Sequence, residues 1–177
     1  MEITDICVNW NMLVDNKEKC NNLFRKLSNI IEERKQLLSN IIGNYTKYID
    51  ESGKRLPLIA VVINNYSSFI ESYEDFGSII QQLTREGPRY GIIFIVANNS
   101  QLGVGYKLIQ NFKTNLALHL NDKNNYSTFL GKTKLFPSNV FGRGVINLDT
   151  TYEFQTAFVT FKEKISSQII ETCEKIR

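Results

Sequence analysis

Cysteine, histidine and long apolar runs are scarce in this 177-residue chain, and each scarcity removes a class of function. Cys7, Cys20 and Cys173 form no C-x-x-C pair and are odd in number. Free thiols in a reducing compartment are the simplest reading. Tetrahedral zinc needs four clustered ligands, so no metal site is expected. His119 is the single imidazole and no Ser, Asp or Cys partner is identifiable, so a nucleophilic triad has no support. No stretch approaches the roughly 18–20 apolar residues that span a membrane, so no direct membrane insertion is expected. Met1-Glu2-Ile3-Thr4-Asp5 lacks a basic start and a following apolar core, so no signal peptide is expected either. The net charge of +3 contains no Lys/Arg run, and charge alone gives no nucleic-acid expectation. A G-x-x-x-x-G-K-[ST] phosphate loop is absent. No internal repeat, low-complexity block or long linker divides the chain.

What is present reads as one soluble α/β domain over residues 1–177, with 42% hydrophobic and 22% charged residues. Ile3 to Val8 is a weak strand. Asp15-Asn16 can cap the helix that follows, where Leu23, Phe24, Leu27, Ile30, Ile31, Leu37, Leu38 and Ile41 recur at three- and four-residue spacing. That stripe reads as core. Gly43-Asn44 stops the helix, and Tyr45 to Ser52 is a short polar helix. Leu58 to Ile63 is a strand. Glu74 to Glu86 is a helix ended by Gly87-Pro88, and Gly91 to Ala97 is a second strand. The continuous apolar runs of these strands suggest burial on both faces of a parallel sheet. Tyr106 to Phe112 is a short helix, Asn115 to Leu120 a strand, and a helix capped at Asn121 or Asp122 runs to Leu130. A Gly/Lys/Pro/Ser-rich loop covers 131–138. Val145 to Leu148 and Tyr152 to Val159 form a hairpin, and Lys162 to Ile176 is a helix with Ile165, Ile169, Cys173 and Ile176 on one stripe. That last stripe packs either on this domain or on a further module. Strands separated by helices mean α/β with a mainly parallel sheet.

The strand Leu58–Ile63 runs into Asn64-Asn65. In nucleotide-hydrolysing α/β domains this position holds Asp-Glu, the Asp ordering Mg²⁺ and the Glu positioning water. An amide cannot take a proton as a general base and is a poor ligand for a hard cation. The competing reading is a strand-ending turn with Asn chosen for its turn chemistry. His119 alternates with apolar residues and reads as a packed or edge-facing imidazole.

The segment Leu56-Pro57-Leu58-Ile59-Ala60-Val61-Val62-Ile63-Asn64-Asn65-Tyr66 resembles the Walker B strand of the FtsK/SpoIIIE ATPases. The following segments keep the family's order: Glu86 to Ala97 resembles its glycine-arginine turn and next core strand, Asn111 to Leu120 its N-I-K-x-R-I-A-L-R stretch, and Gly142-Arg143-Gly144 its late turn. Asn115 and His119 stand where arginines are usual. With Gln82 to Gly87, Leu120 to Lys123 and Tyr152 to Ala157, the likeness narrows to a downstream ATPase domain of the type VII secretion motors of Gram-positive bacteria. It covers roughly residues 5 to 160, through the order and spacing of motifs rather than any single one.

The resemblance implies a RecA-like, P-loop NTPase-type sheet flanked by helices, lacking the P-loop strand and helix, which the family places upstream of residue 1, and ending in a β-hairpin. It implies no catalytic residue here. Asn64 and Asn65 stand as a degenerate Walker B nucleotide site, Asn99 takes the place of a γ-phosphate sensor, and Arg85 and Arg89 are arginine-finger candidates beside a turn that faces a neighbouring subunit. ATP and Mg²⁺ are implied for the intact domain and neither for this chain by itself. The implied partners are neighbouring ATPase domains of a hexameric ring and secreted proteins, at the cytoplasmic face of the membrane. Two other readings stay open. In a fragment of an ATP-dependent DNA translocase, Lys107, Lys113, Lys123, Lys132 and Lys134 would track DNA; the amides at 64 and 65 weigh against it. In a stand-alone interaction module, nucleotide would play no part.

Overall fold

The computed structural model describes residues 16–39, 44–54, 56–99, 103–157 and 164–176, and of the last stretch not the side chains of Ile165, Cys173, Lys175 and Ile176. The expected strand Ile3–Val8 and the helix stop at Gly43 lie outside the described residues. The chain divides into two compact units, Met1–Phe112 and Lys113–Arg177.

In the first unit, α1 (Lys17–Leu38) starts where the Asn16 side chain accepts from the Lys19 N–H at 2.9 Å. This satisfies a donor that the first turn leaves without a helical partner. Phe24, Leu27, Ile31 and Leu38 of its stripe are buried, while Leu37 is exposed. A short helix α2 (Tyr45–Ser52) follows, capped by the Asn44 side chain and closed by left-handed Gly53. Next come β1 (Ile59–Ile63), α3 (Tyr66–Ser72), α4 (Gly77–Glu86), β2 (Ile92–Val96) and α5 (Tyr106–Ile109). The sequence reading missed α3 and fused Glu74–Phe76, a 3-10 turn, into α4. α4 ends at Glu86 before Gly87-Pro88, as expected, and a second 3-10 turn follows to Tyr90. Pro88 suits the start of that turn, where no helical N–H is needed.

β1 and β2 pair in parallel, from Ile59 opposite Ile92 to Ile63 opposite Val96. Val61, Ile63, Ile92 and Phe94 face a core built with Phe24, Leu27 and Ile31 of α1, Ile80 and Leu83 of α4, Phe76 and Leu108. Phe24 and Phe76 meet with ring centroids 5.1 Å apart. Contrary to expectation, the apolar runs are not buried on both faces. Ala60, Val62, Ile93 and Ile95 are exposed, Val62 to 65% and Ile95 to 53%. A period of two sends alternate side chains to opposite faces, and the described residues cover only one face.

Arg34 occupies a core position of the α1 stripe, between Ile31 and Leu38, and is 6% exposed. Its guanidinium donates to the carbonyls of Tyr90 at 2.6 Å, Pro57 at 2.7 Å and Gly91 at 3.3 Å. It thereby ties α1 to the entries of both strands. Burial draws its pKa below the ordinary arginine value, partly offset by Tyr45.

In the second unit, β3 (Asn115–Leu118), α6 (Tyr126–Leu130), β4 (Arg143–Asn147) and β5 (Thr151–Gln155) precede α7 (Ile165–Ile176). The hairpin β4–β5 forms as expected. β3 pairs antiparallel with β4, so the parallel ladder described is β1–β2. Ala117, Tyr126, Leu130 and Val145 form the core of this unit. The Tyr126 hydroxyl accepts from the Leu120 N–H at 2.7 Å and donates to the Leu118 carbonyl at 3.1 Å, holding α6 to the end of β3. Asp122, one of the two expected caps, caps the 3-10 turn before α6. Gly144 lets Phe154 and the Ala117 carbonyl close on β4, where a Cβ would collide with the ring and press on the carbonyl.

Candidate functional site at the strand ends

Open α/β sheets meet their ligands at the carboxyl ends of parallel strands. Here those ends carry Asn64 and Asn65 after β1, and Asn98 and Asn99 after β2. The ladder continues past the strands: Ala97 N–H donates to the Ile63 carbonyl at 2.9 Å and Tyr66 N–H to the Ala97 carbonyl at 3.1 Å. Asn65 turns the chain into α3 with φ 53° and ψ 60°, left-handed values that Asn tolerates better than branched residues. Asn64 is exposed.

Asn98 and Ser67 are the pair that sequence reasoning missed. The Asn98 amide oxygen accepts from the Ser67 N–H at 3.0 Å, and its NH₂ donates to the Ser67 hydroxyl at 2.7 Å. The end of β2 is thus clamped to the first turn of α3. Asn99, read as the sensor, is exposed. Two adjacent asparagines after a strand give no sequence signal for which one turns inward. The first carboxylate after β1 is Glu71, in the last turn of α3.

Arg85 and Arg89 are not brought to this end. Arg89 lies just before β2 begins, whereas Asn64, Asn65 and Asn99 follow the strands. Five residues of strand separate the two ends by about 16 Å. Both arginines are exposed, and Arg85 approaches Glu86 at 3.5 Å. Glu86 also accepts from Lys35 at 3.3 Å. Burial raises the Glu86 pKa, but the hydrogen bonds and charges of Lys35 and Arg85 outweigh it and hold the carboxyl below its usual range.

In the second unit His119 follows the end of β3 and is exposed, its Nδ1 3.2 Å from the Pro137 carbonyl. Of the five lysines singled out from the sequence, Lys123, Lys132 and Lys134 line one cavity. Among the described residues, no cluster of His, Cys, Asp and Glu could hold a metal ion, and no helix is long and apolar enough to cross a membrane.

A two-stranded parallel ladder under α1 and α4 and an antiparallel β3–β4–β5 sheet are the elements of a RecA-like fold of FtsK type. The fold matches the solved EssC (ATPases 2 and 3) from Geobacillus thermodenitrificans with a TM-score of 0.83 at 22% identity, over 92% of this chain and 32% of that one. It also matches Thermomonospora curvata EccC (ATPases 2 and 3) in complex with a signal sequence peptide, with a TM-score of 0.69 at 22% identity, over 89% of this chain and 30% of that one. No family model matches the chain. Its sequence is 31% identical to the type VII secretion system protein EssC of Staphylococcus aureus strain MRSA252 over 98% of its length. The chain belongs to the EssC/EccC family of type VII secretion system proteins. It spans 12% of the length of that EssC relative.

Proposed function

We propose that this chain is a module of a type VII secretion motor that couples neighbouring ATPase domains instead of hydrolysing ATP itself. The observation that carries the reading is the carboxamide pair Asn64-Asn65 at the end of β1, with no carboxylate before Glu71. Mg²⁺ prefers anionic oxygen ligands, and attacking water needs a proton acceptor. The donor set at the strand ends fits neither need, and no catalytic step runs through Mg²⁺-ATP here. The Asn98–Ser67 clamp adds a structural use for the same strand ends. ATP and Mg²⁺ belong, in this reading, to sister domains of a ring held at the cytoplasmic face of the membrane, and secreted proteins are its cargo. The exposed Arg85 and Arg89 reach outward from the opposite end of the strands, toward a neighbouring subunit, where their state biases turnover next door.

Calorimetric titration with Mg²⁺-ATP and a phosphate-release assay test the chemistry. The native chain is expected to release no phosphate, with no micromolar binding. Tight binding accompanied by turnover would sink the proposal. Coupling is tested in the intact motor protein: Arg85→Ala with Arg89→Ala is expected to change ATP turnover by the other domains, and unchanged turnover argues against this role.

A further inference from the structure

Between α6 and the loop that follows it lies an open cavity of about 370 Å³. Lys123, Lys132 and Lys134 line it, with Thr133, Tyr126 and Phe136. The three lysines are exposed and form no ion pair among the described residues. Lys123 holds its ammonium 5.3 Å from the centre of the Phe136 ring, and that ring packs edge-on against Tyr126 at 5.6 Å. Phe136 is nevertheless 41% exposed. The Thr133 hydroxyl accepts from the Leu135 N–H at 3.0 Å, which leaves its proton for another acceptor. No carboxylate lines the cavity.

Three like charges around one concavity repel one another, and an anion seated among them relieves that repulsion. The half-exposed ring supplies an apolar wall beside them. We propose that this cavity binds an acidic peptide segment carrying an aromatic or large apolar residue. Carboxylates would meet the three ammonium groups, and the apolar side chain would lie on Phe136. A nucleic acid suits the site less well, because it needs a positive track along its backbone. Here the basic surface is local: Asp122 stands beside Lys123, and Arg143 is engaged by Glu153 at 2.7 Å. The proposal rests on the second unit alone and does not depend on what the strand ends bind.

The test is fluorescence anisotropy of the full chain with a fluorescein-labelled Glu-Glu-Phe-Glu-Glu peptide. Parallel titrations use the Gln-Gln-Phe-Gln-Gln peptide and a short single-stranded DNA. Binding of the acidic peptide is expected to weaken roughly tenfold or more in the combined Lys123→Gln/Lys132→Gln/Lys134→Gln variant. Raising the salt from about 50 to 300 mM should weaken it as well. Phe136→Ala should weaken it separately, while Lys113→Gln leaves it unchanged. Lys132→Gln, in an exposed loop, repeats the test without threatening the fold. Absence of binding overturns the proposal. So does equal binding of the Gln peptide, a lysine variant within twofold of native, or DNA binding with the same lysine dependence while the peptide does not bind.

Discussion

Replacing Arg34 by methionine should destabilise the first unit more than any change on its surface. Methionine keeps the length and much of the bulk but none of the donors. Hydrogen bonds from a charged donor contribute about 1.5–3 kcal/mol each, and Arg34 makes two short ones, to Tyr90 and Pro57. Their loss strands two carbonyls, at about 1–3 kcal/mol apiece if water does not reach them. The Gly91 carbonyl is spared, because it also accepts from the Ile59 N–H at 2.9 Å. Relief from burying a guanidinium opposes these losses. The balance is a cost of about 2–4 kcal/mol for Arg34→Met. Arg34→Ala should cost about 3–5 kcal/mol, because a cavity adds to the lost bonds. Arg34→Lys should lie between native and Met, since one ammonium cannot reach carbonyls on two strands with a planar fork. Urea unfolding monitored by circular dichroism would show the Met midpoint falling by about 1–2 M at unchanged slope. A Met variant within about 0.5 kcal/mol of native would refute the reasoning and make the three carbonyl contacts incidental.

Three further outcomes follow from the same structure. Gly144→Ala places a methyl against the Phe154 ring and the Ala117 carbonyl, and should cost about 1–3 kcal/mol, read as a lowered melting temperature; an unchanged one would mean the hairpin shifts freely. The exposed apolar face of β1 and β2 should make the chain self-associate as concentration rises, and Val62→Lys with Ile95→Lys should shift sedimentation velocity toward monomer; equal association by both forms would place the contact elsewhere. Glu86 has a folded-state pKa below its unfolded one, so its stabilisation is present above the unfolded value and lost as pH falls through the folded one. Unfolding of the native chain should therefore steepen below about pH 4.5, and Glu86→Gln should flatten that limb; an identical acid limb in both would show the Lys35 and Arg85 contacts to be without effect.

The sequence by itself determined the order of elements, α3 excepted, and the character of the strand end. α1 was legible because its stripe repeats at helical spacing over about five turns, and β1 and β2 because their apolar runs are short and bounded by turn residues. Asn64 and Asn65 were legible as the end of β1 because identity at a fixed place in a motif is one-dimensional information. Arg34 could have been found the same way: it keeps step with Leu27, Ile31 and Leu38, and a charge at a core position asks for buried acceptors.

Tertiary structure alone decided the rest. An apolar run does not say how many of its faces a neighbour covers, so the bare side of β1 and β2 could not be read from composition. Whether Asn98 or Asn99 turns inward depends on where α3 places Ser67. Lys123, Lys132 and Lys134 are scattered in sequence and come to line one cavity where the loop after α6 packs Phe136 against Tyr126. Periodicity is a property of one segment; enclosure depends on what the rest of the chain brings to it.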